Sequence, residues 1–86
     1  MTFNEELDRE LESIKIILQQ KNYRYGNSAI NPIRVFSKLS PEERINVRID
    51  DKLSRIMNQS PDDDEDTLLD LIGYLILKRI QRRMKW

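Results

Sequence analysis

The chain has 86 residues, with fifteen basic and fifteen acidic side chains, no cysteine and no histidine. A chain this short forms one domain and buries only about 60% of the surface its unfolded form exposes. Disulfides and thiolate or imidazole metal sites are excluded as extra supports, and so is a histidine general base, which leaves association into an oligomer as the remaining route to stability.

The balanced charge is unevenly spread. Residues 62–66 read DDDED, while Lys78, Arg79, Arg82, Arg83 and Lys85 form a basic tail. Overall charge gives no reason to expect binding to long nucleic acid, and the tail alone also suits a helix C-terminus. The start, MTFNEELDRELES, is charged throughout and unlike a signal peptide. The most apolar run, Leu68 to Leu77, is broken by Asp70 and far shorter than the ~20 residues of a membrane span. The expectation is a soluble protein of the cytoplasm with no membrane partner.

Three helices account for most of the chain. Phe3, Leu7, Leu11, Ile14 and Leu18 recur at spacings of four and three, which predicts an amphipathic helix over roughly residues 3 to 21, ending before Gly26. A loop follows from Asn22 to Leu39, with Asn31 turned away from helix by Pro32. Ser40-Pro41-Glu42-Glu43 is a strong helix start, with serine as cap, proline in the first turn and glutamate three residues after the cap. Ile45, Ile49, Leu53 and Ile56 mark the buried face of this second helix, which runs to about Asn58.

Ser60-Pro61 and the following acids predict the start of a third helix. Its apolar set (Leu68, Leu69, Leu71, Ile72, Leu75, Ile76, Leu77 and Ile80) is too wide for one stripe, so it is expected to be buried on two sides. In so small a protein the second side belongs to another subunit. The expected fold is an all-α three-helix protomer assembling into a homo-oligomer, a tetramer preferred over a dimer.

The segment from Lys21 to Ile56 holds the candidate chemistry. Arg44, Arg48, Asp51 and Arg55 form one stripe on the second helix, bordered by Lys52. Two readings stand side by side: a solvated face with salt bridges of little worth, or spare positive charge for phosphate, to which arginine's planar fork is suited. In the loop, Tyr23, Tyr25 and Phe36 offer aromatic faces that could stack on a base. Asn27, Ser28, Asn31, Ser37 and Lys38 add hydrogen-bonding groups. The plainer alternative is a Gly-Asn turn whose aromatics close a small core, and none of the usual phosphate-loop fingerprints is present. On the third helix, Asp70 interrupts an apolar run, one turn after Asp66. With Asp50 and Asp51 it could build an oxygen-rich Mg²⁺ site, or it could form a salt bridge to Lys52 or Arg48 that locks the second and third helices together. Gly73 costs ~1 kcal/mol in a helix relative to alanine, a cost that close helix packing would offset.

Three quoted motifs, KNYRYGNS, RIDDKLSRI and EDTLLDLIGYLIL, together resemble small phage and bacterial proteins with the nucleotide-modification-associated domain, which is distantly similar to the MazG-like all-α nucleotide pyrophosphatases. The resemblance spans about residues 19 to 80. It implies a helical bundle that oligomerises and places nucleotide sites between subunits. MazG-like enzymes hold Mg²⁺ on a Glu-x-x-Glu pair and a Glu-x-x-Asp pair. Here the second helix has adjacent Asp50 and Asp51, pointing about 100° apart, and the third has Asp66-x-x-x-Asp70. A nucleotide pocket without those hydrolytic ligands implies binding. In size, helicity and oligomeric character the chain also resembles phage anti-CBASS sponges, which sequester cyclic oligonucleotide signals of bacterial immunity. The expected role is thus capture of a cyclic di- or oligonucleotide in the host bacterial cytosol, without a cofactor. Tyr23, Tyr25, Asn27, Ser28, Phe36, Ser37, Lys38, Arg48, Asp51, Lys52 and Arg55 are the candidate ligand contacts. The alternative is a Mg²⁺-dependent MazG-like pyrophosphatase using Asp51, Asp66 and Asp70.

Overall fold

The computed structural model describes residues 1–58 and 64–84, with the backbone alone for 64–66. Within them lie three helices, α1 (Phe3–Tyr25), α2 (Pro41–Met57) and α3 (Asp64–Met84), and no strand. The expected caps at Ser60 and Pro61 lie outside the described residues, as do Lys85 and Trp86. No helix among the described residues is long and apolar enough to cross a membrane.

Local chemistry sets the helix ends. At the start of α1, the Thr2 hydroxyl accepts from the Glu5 N–H at 3.2 Å, while the Thr2 N–H donates to the Glu5 carboxylate at 3.4 Å. This reciprocal capping satisfies two donors that a helix N-terminus otherwise leaves open. At the other end, α1 continues past residue 21 to Tyr25, because Lys21 and Tyr25 extend the same stripe as Leu18. Gly26 then stops it at φ 58° and ψ 44°, in the left-handed region where glycine carries no Cβ penalty. Asn27 follows at φ 62°, and its side-chain carbonyl accepts from the Asn22 amide at 2.6 Å. Helix α2 begins as its sequence predicts, with the Ser40 hydroxyl accepting from the Glu43 N–H at 3.1 Å. The Glu43 carboxylate does not return to the cap; it accepts from Asn46 at 3.0 Å.

Helices α2 and α3 pack together closely, whereas α1 meets α3 over a short stretch only. Three polar contacts show that α2 and α3 are antiparallel. Lys52 meets Asp70 at 3.2 Å, the Lys78 ammonium donates to the Asn46 carbonyl at 2.7 Å, and Arg82 pairs with Glu42. The hydrogen bond from Arg82, reinforced by its charge and that of Lys78, holds the Glu42 carboxyl below its ordinary value against the opposing effect of desolvation.

The apolar core is small. Ile14, Ile30 and Ile45 are its buried members. Of the predicted α2 face, Ile45 is buried and Ile49 half-buried, but Leu53 and Ile56 stay exposed. On α3, Leu68, Ile72 and Leu75 form an exposed outer stripe, and on α1 so do Phe3, Leu7 and Leu11. A single chain therefore leaves much of its patterned apolar surface uncovered.

Gly73 lets α1 approach α3. A Cβ built there would stand 3.2 Å from the Leu18 Cδ2. Its cost in helix propensity is offset by this packing, as expected. Gly73→Leu should lower stability by roughly 1–3 kcal/mol through overpacking, read as a lower denaturation midpoint in urea; an unchanged midpoint would mean that α1 is not seated on Gly73.

Candidate functional site

Because α1 touches α3 but leaves α2, a cleft of about 950 Å³ opens between α1, the connecting loop and α2. That volume lies near the upper end of the range for small-molecule sites, ~300–1,000 Å³. The cleft lining is of two kinds. Apolar side chains come from all three helices and the loop, among them Ile17, Leu18, Ile33, Ile45 and Leu77. Among these stand polar groups: Lys21 and Tyr25 in the last turns of α1, Ser28 and Ser37 in the loop, and Arg44 and Arg48 on α2.

Asp70 sits where the three helices converge. One carboxylate oxygen accepts from the Lys21 ammonium at 3.3 Å and the other meets the Lys52 ammonium at 3.2 Å. The Asp70 side chain is 29% exposed and that of Lys52 only 14%, so their pair is partly desolvated, whereas Lys21, 53% exposed, adds a solvent-facing contact. Burial pushes the Asp70 carboxyl up, but the hydrogen bonds from Lys52 and Lys21, with their charges, outweigh it and hold the group below its ordinary value. The expected lock between α2 and α3 is present, through Lys52 rather than Arg48. The additional tie to α1 through Lys21 was not foreseen; its signal was the continuation of the α1 stripe to position 21.

The remaining candidate contacts divide into groups. Tyr25, Ser28, Ser37 and Arg48 line the cleft together. Arg48 is exposed and has no ion-pair partner among the described residues, so its guanidinium is free to meet an anion. Tyr23 points away; with Asn27 it borders a smaller depression of about 310 Å³ beside Gln19 and Gly26. Phe36 is 98% exposed and is not part of either cavity wall. Lys38 folds onto its own loop, donating to the Arg34 carbonyl at 2.8 Å, while Arg34 donates to the Lys38 carbonyl at 2.7 Å. Asp51 and Arg55 lie exposed on α2, away from both cavities. Asn31 is exposed, and its N–H donates to the Asn27 carbonyl at 2.8 Å.

Arg44 works on the loop. Its guanidinium donates to the carbonyls of Ile33 at 2.9 Å and Ser37 at 3.3 Å, pinning the segment that carries Ser37 over α2. Its Nε is buried without a partner. The stripe of basic residues on α2 is thus split by role, with Arg44 holding the loop, Lys52 holding Asp70, and Arg48 facing the cleft.

The residues fit a Mg²⁺ site poorly. Both Asp70 oxygens are engaged by ammonium groups, Asp51 is remote from the cleft lining, and the Asp66 side chain lies outside the described residues. Among the described residues, no group of three or more acidic side chains is gathered as a metal would need. The cleft lining does bring a cation (Arg48), an aromatic ring (Tyr25) and two hydroxyls (Ser28 and Ser37) to one cavity, groups suited to an anion and to a flat ring.

No family model matches this chain, and neither a curated protein nor a solved structure matches it.

The Asp70 junction has a pH signature. A carboxyl whose folded pKa is depressed adds stability above its unfolded value, near 3.8, and loses it as pH falls through the lower folded value. Asp70→Asn should therefore lower stability at pH 7 by roughly 1–3 kcal/mol, the scale of a charged hydrogen-bonded group. The gap from the parent should close below about pH 4 in parallel thermal melts; equal melting temperatures at pH 7 would contradict the role given to this junction.

Proposed function

We propose that this chain is a nucleotide-binding protein that captures a cyclic di- or oligonucleotide and holds it without hydrolysis, as a phage immune-evasion sponge in the bacterial cytosol. The observation that carries the reading is the division of labour at the cleft. Asp70, one of the carboxylates that would serve a hydrolytic metal, is occupied by Lys21 and Lys52, while Arg48, without an ion-pair partner among the described residues, lines the same cleft as Tyr25, Ser28 and Ser37. Free positive charge next to an aromatic ring suits a phosphodiester and its base; a carboxylate held by two lysines does not suit Mg²⁺. In this reading Arg48 takes a phosphate, Tyr25 stacks on the base, and Ser28 and Ser37 bond to sugar or phosphate oxygens.

The assembly we propose is a homo-oligomer, a tetramer preferred over a dimer, with the outer face of α3 between subunits. The exposed stripe of Leu68, Ile72 and Leu75 supports this, since contiguous apolar surface on a small protein marks an interaction face.

The test is retention. The protein is incubated with a panel of cyclic dinucleotides and with nucleoside triphosphates, separated from free ligand and heat-denatured, and the released compounds are identified. Intact cyclic nucleotide, retained equally with and without EDTA, is the expected result. Nucleoside monophosphate and pyrophosphate released in a Mg²⁺-dependent way would instead establish the pyrophosphatase. Loss of one charge-assisted contact is worth roughly 1.5–3 kcal/mol, so Arg48→Ala should weaken binding about ten- to a hundredfold, measured by calorimetry. Binding equal to the parent would remove Arg48 from the site.

A further inference from the structure

Helix α1 has 23 residues, roughly 35 Å at about 1.5 Å per residue. Only its C-terminal half is seated in the chain. Along the single stripe Phe3, Leu7, Leu11, Ile14 and Leu18, Ile14 is buried and Leu18 rests on Gly73. Phe3, Leu7 and Leu11 are exposed, Phe3 by 76%. The N-terminal half thus overhangs the body with a continuous apolar face and nothing among the described residues to cover it.

Charge selects what can cover it. Between Glu5 and Glu12 the overhang carries Glu5, Glu6, Asp8, Glu10 and Glu12 against Arg9 alone. Two such overhangs laid side by side would set acid against acid. The complementary surface is the cleft, whose lining joins apolar side chains to Arg48, the one cation there that neither Asp70 nor a loop carbonyl holds among the described residues. Asp70, the acid among the described lining residues, is already neutralised by Lys21 and Lys52.

We infer that the N-terminal half of α1 docks on the cleft of a second copy of this chain, with Phe3, Leu7 and Leu11 against its apolar side chains and the flanking acids toward Arg48. In a pair related by a two-fold axis the exchange is reciprocal, and each copy lends an overhang and receives one. This interface is separate from the outer face of α3. It leaves Tyr25, Ser28 and Ser37 for a ligand and makes the partner's acids and a bound phosphate alternatives at Arg48. Two distinct two-fold contacts per chain are also what a tetramer of dihedral symmetry requires. The inference does not need the nucleotide reading, because it rests on uncovered apolar surface and charge.

The test is a charge exchange read by sedimentation at micromolar concentration, with no nucleotide present. One variant carries Glu6→Lys and Glu10→Lys, which flank the exposed stripe; the other carries Arg48→Glu. Each alone should sediment as a smaller species than the parent, because like charges now face each other at both contacts of a pair. Mixed in equal amounts, they should regain the parent's mass, because reversed acids meet reversed base at one contact and native groups meet at the other. Leu7→Glu, at an exposed position, should also reduce the mass while its circular dichroism keeps the parent's helix content. A monomeric parent, variants that sediment as the parent does, or a mixture that fails to restore its mass would each overturn the inference. Nucleotide retention is measured separately on the parent, so failure here and failure of the binding reading give different results.

Discussion

Asp70 is the constraint on which the arrangement turns. It lies on α3 in an apolar run, and it draws one lysine from α1 and another from α2 onto its two oxygens. The contact between α2 and α3 has further polar ties at Asn46–Lys78 and Glu42–Arg82. Helix α1 has fewer anchors, chiefly Lys21 on Asp70 and Leu18 on Gly73. These two sit one turn apart, so they fix the C-terminal half of α1 and leave the rest unsupported. The cleft and the overhang are both consequences of that placement, since α1 is held against α3 and kept off α2.

The same junction also bears on whether Asp70 could hold a metal. A carboxylate that neutralises two ammonium groups has little attraction left for a divalent cation, and a partly buried pair is costly to break. The positive charge on the cleft is therefore sorted by partner. Lys52 is nearly buried on Asp70, Arg44 is spent on the carbonyls of Ile33 and Ser37, and Arg48 is left with its full charge facing open space. A residue's place in a basic stripe did not determine its role. What faced it across the gap did.

Much of the fold was legible because local rules and global packing agree. The Ser40-Pro41 start, the α2 stripe beginning at Ile45 and the break at Gly26 follow from capping and periodicity. Helix α1 ran four residues further than expected because its last turn carries Lys21 and Tyr25 on the stripe, where a search for apolar residues alone does not count them. The same phase explains why Tyr25 enters the cleft while Tyr23, two residues earlier, faces the opposite side. Within the loop, the sequence supplied a plausible set of contacts but no geometry. Lys38 closes back on Arg34, and Phe36 stands in solvent, because an irregular segment satisfies its own carbonyls with whatever donors lie three or four residues away.

The central claim, that Asp70 is a structural carboxylate held by two lysines and not a metal ligand, is tested most directly by carbon NMR of its side-chain carboxyl in labelled protein. The account predicts a resonance that titrates below the ordinary aspartate range and does not move when Mg²⁺ is added at neutral pH. A resonance that shifts or broadens selectively with Mg²⁺, or titrates at or above the ordinary value, would contradict it.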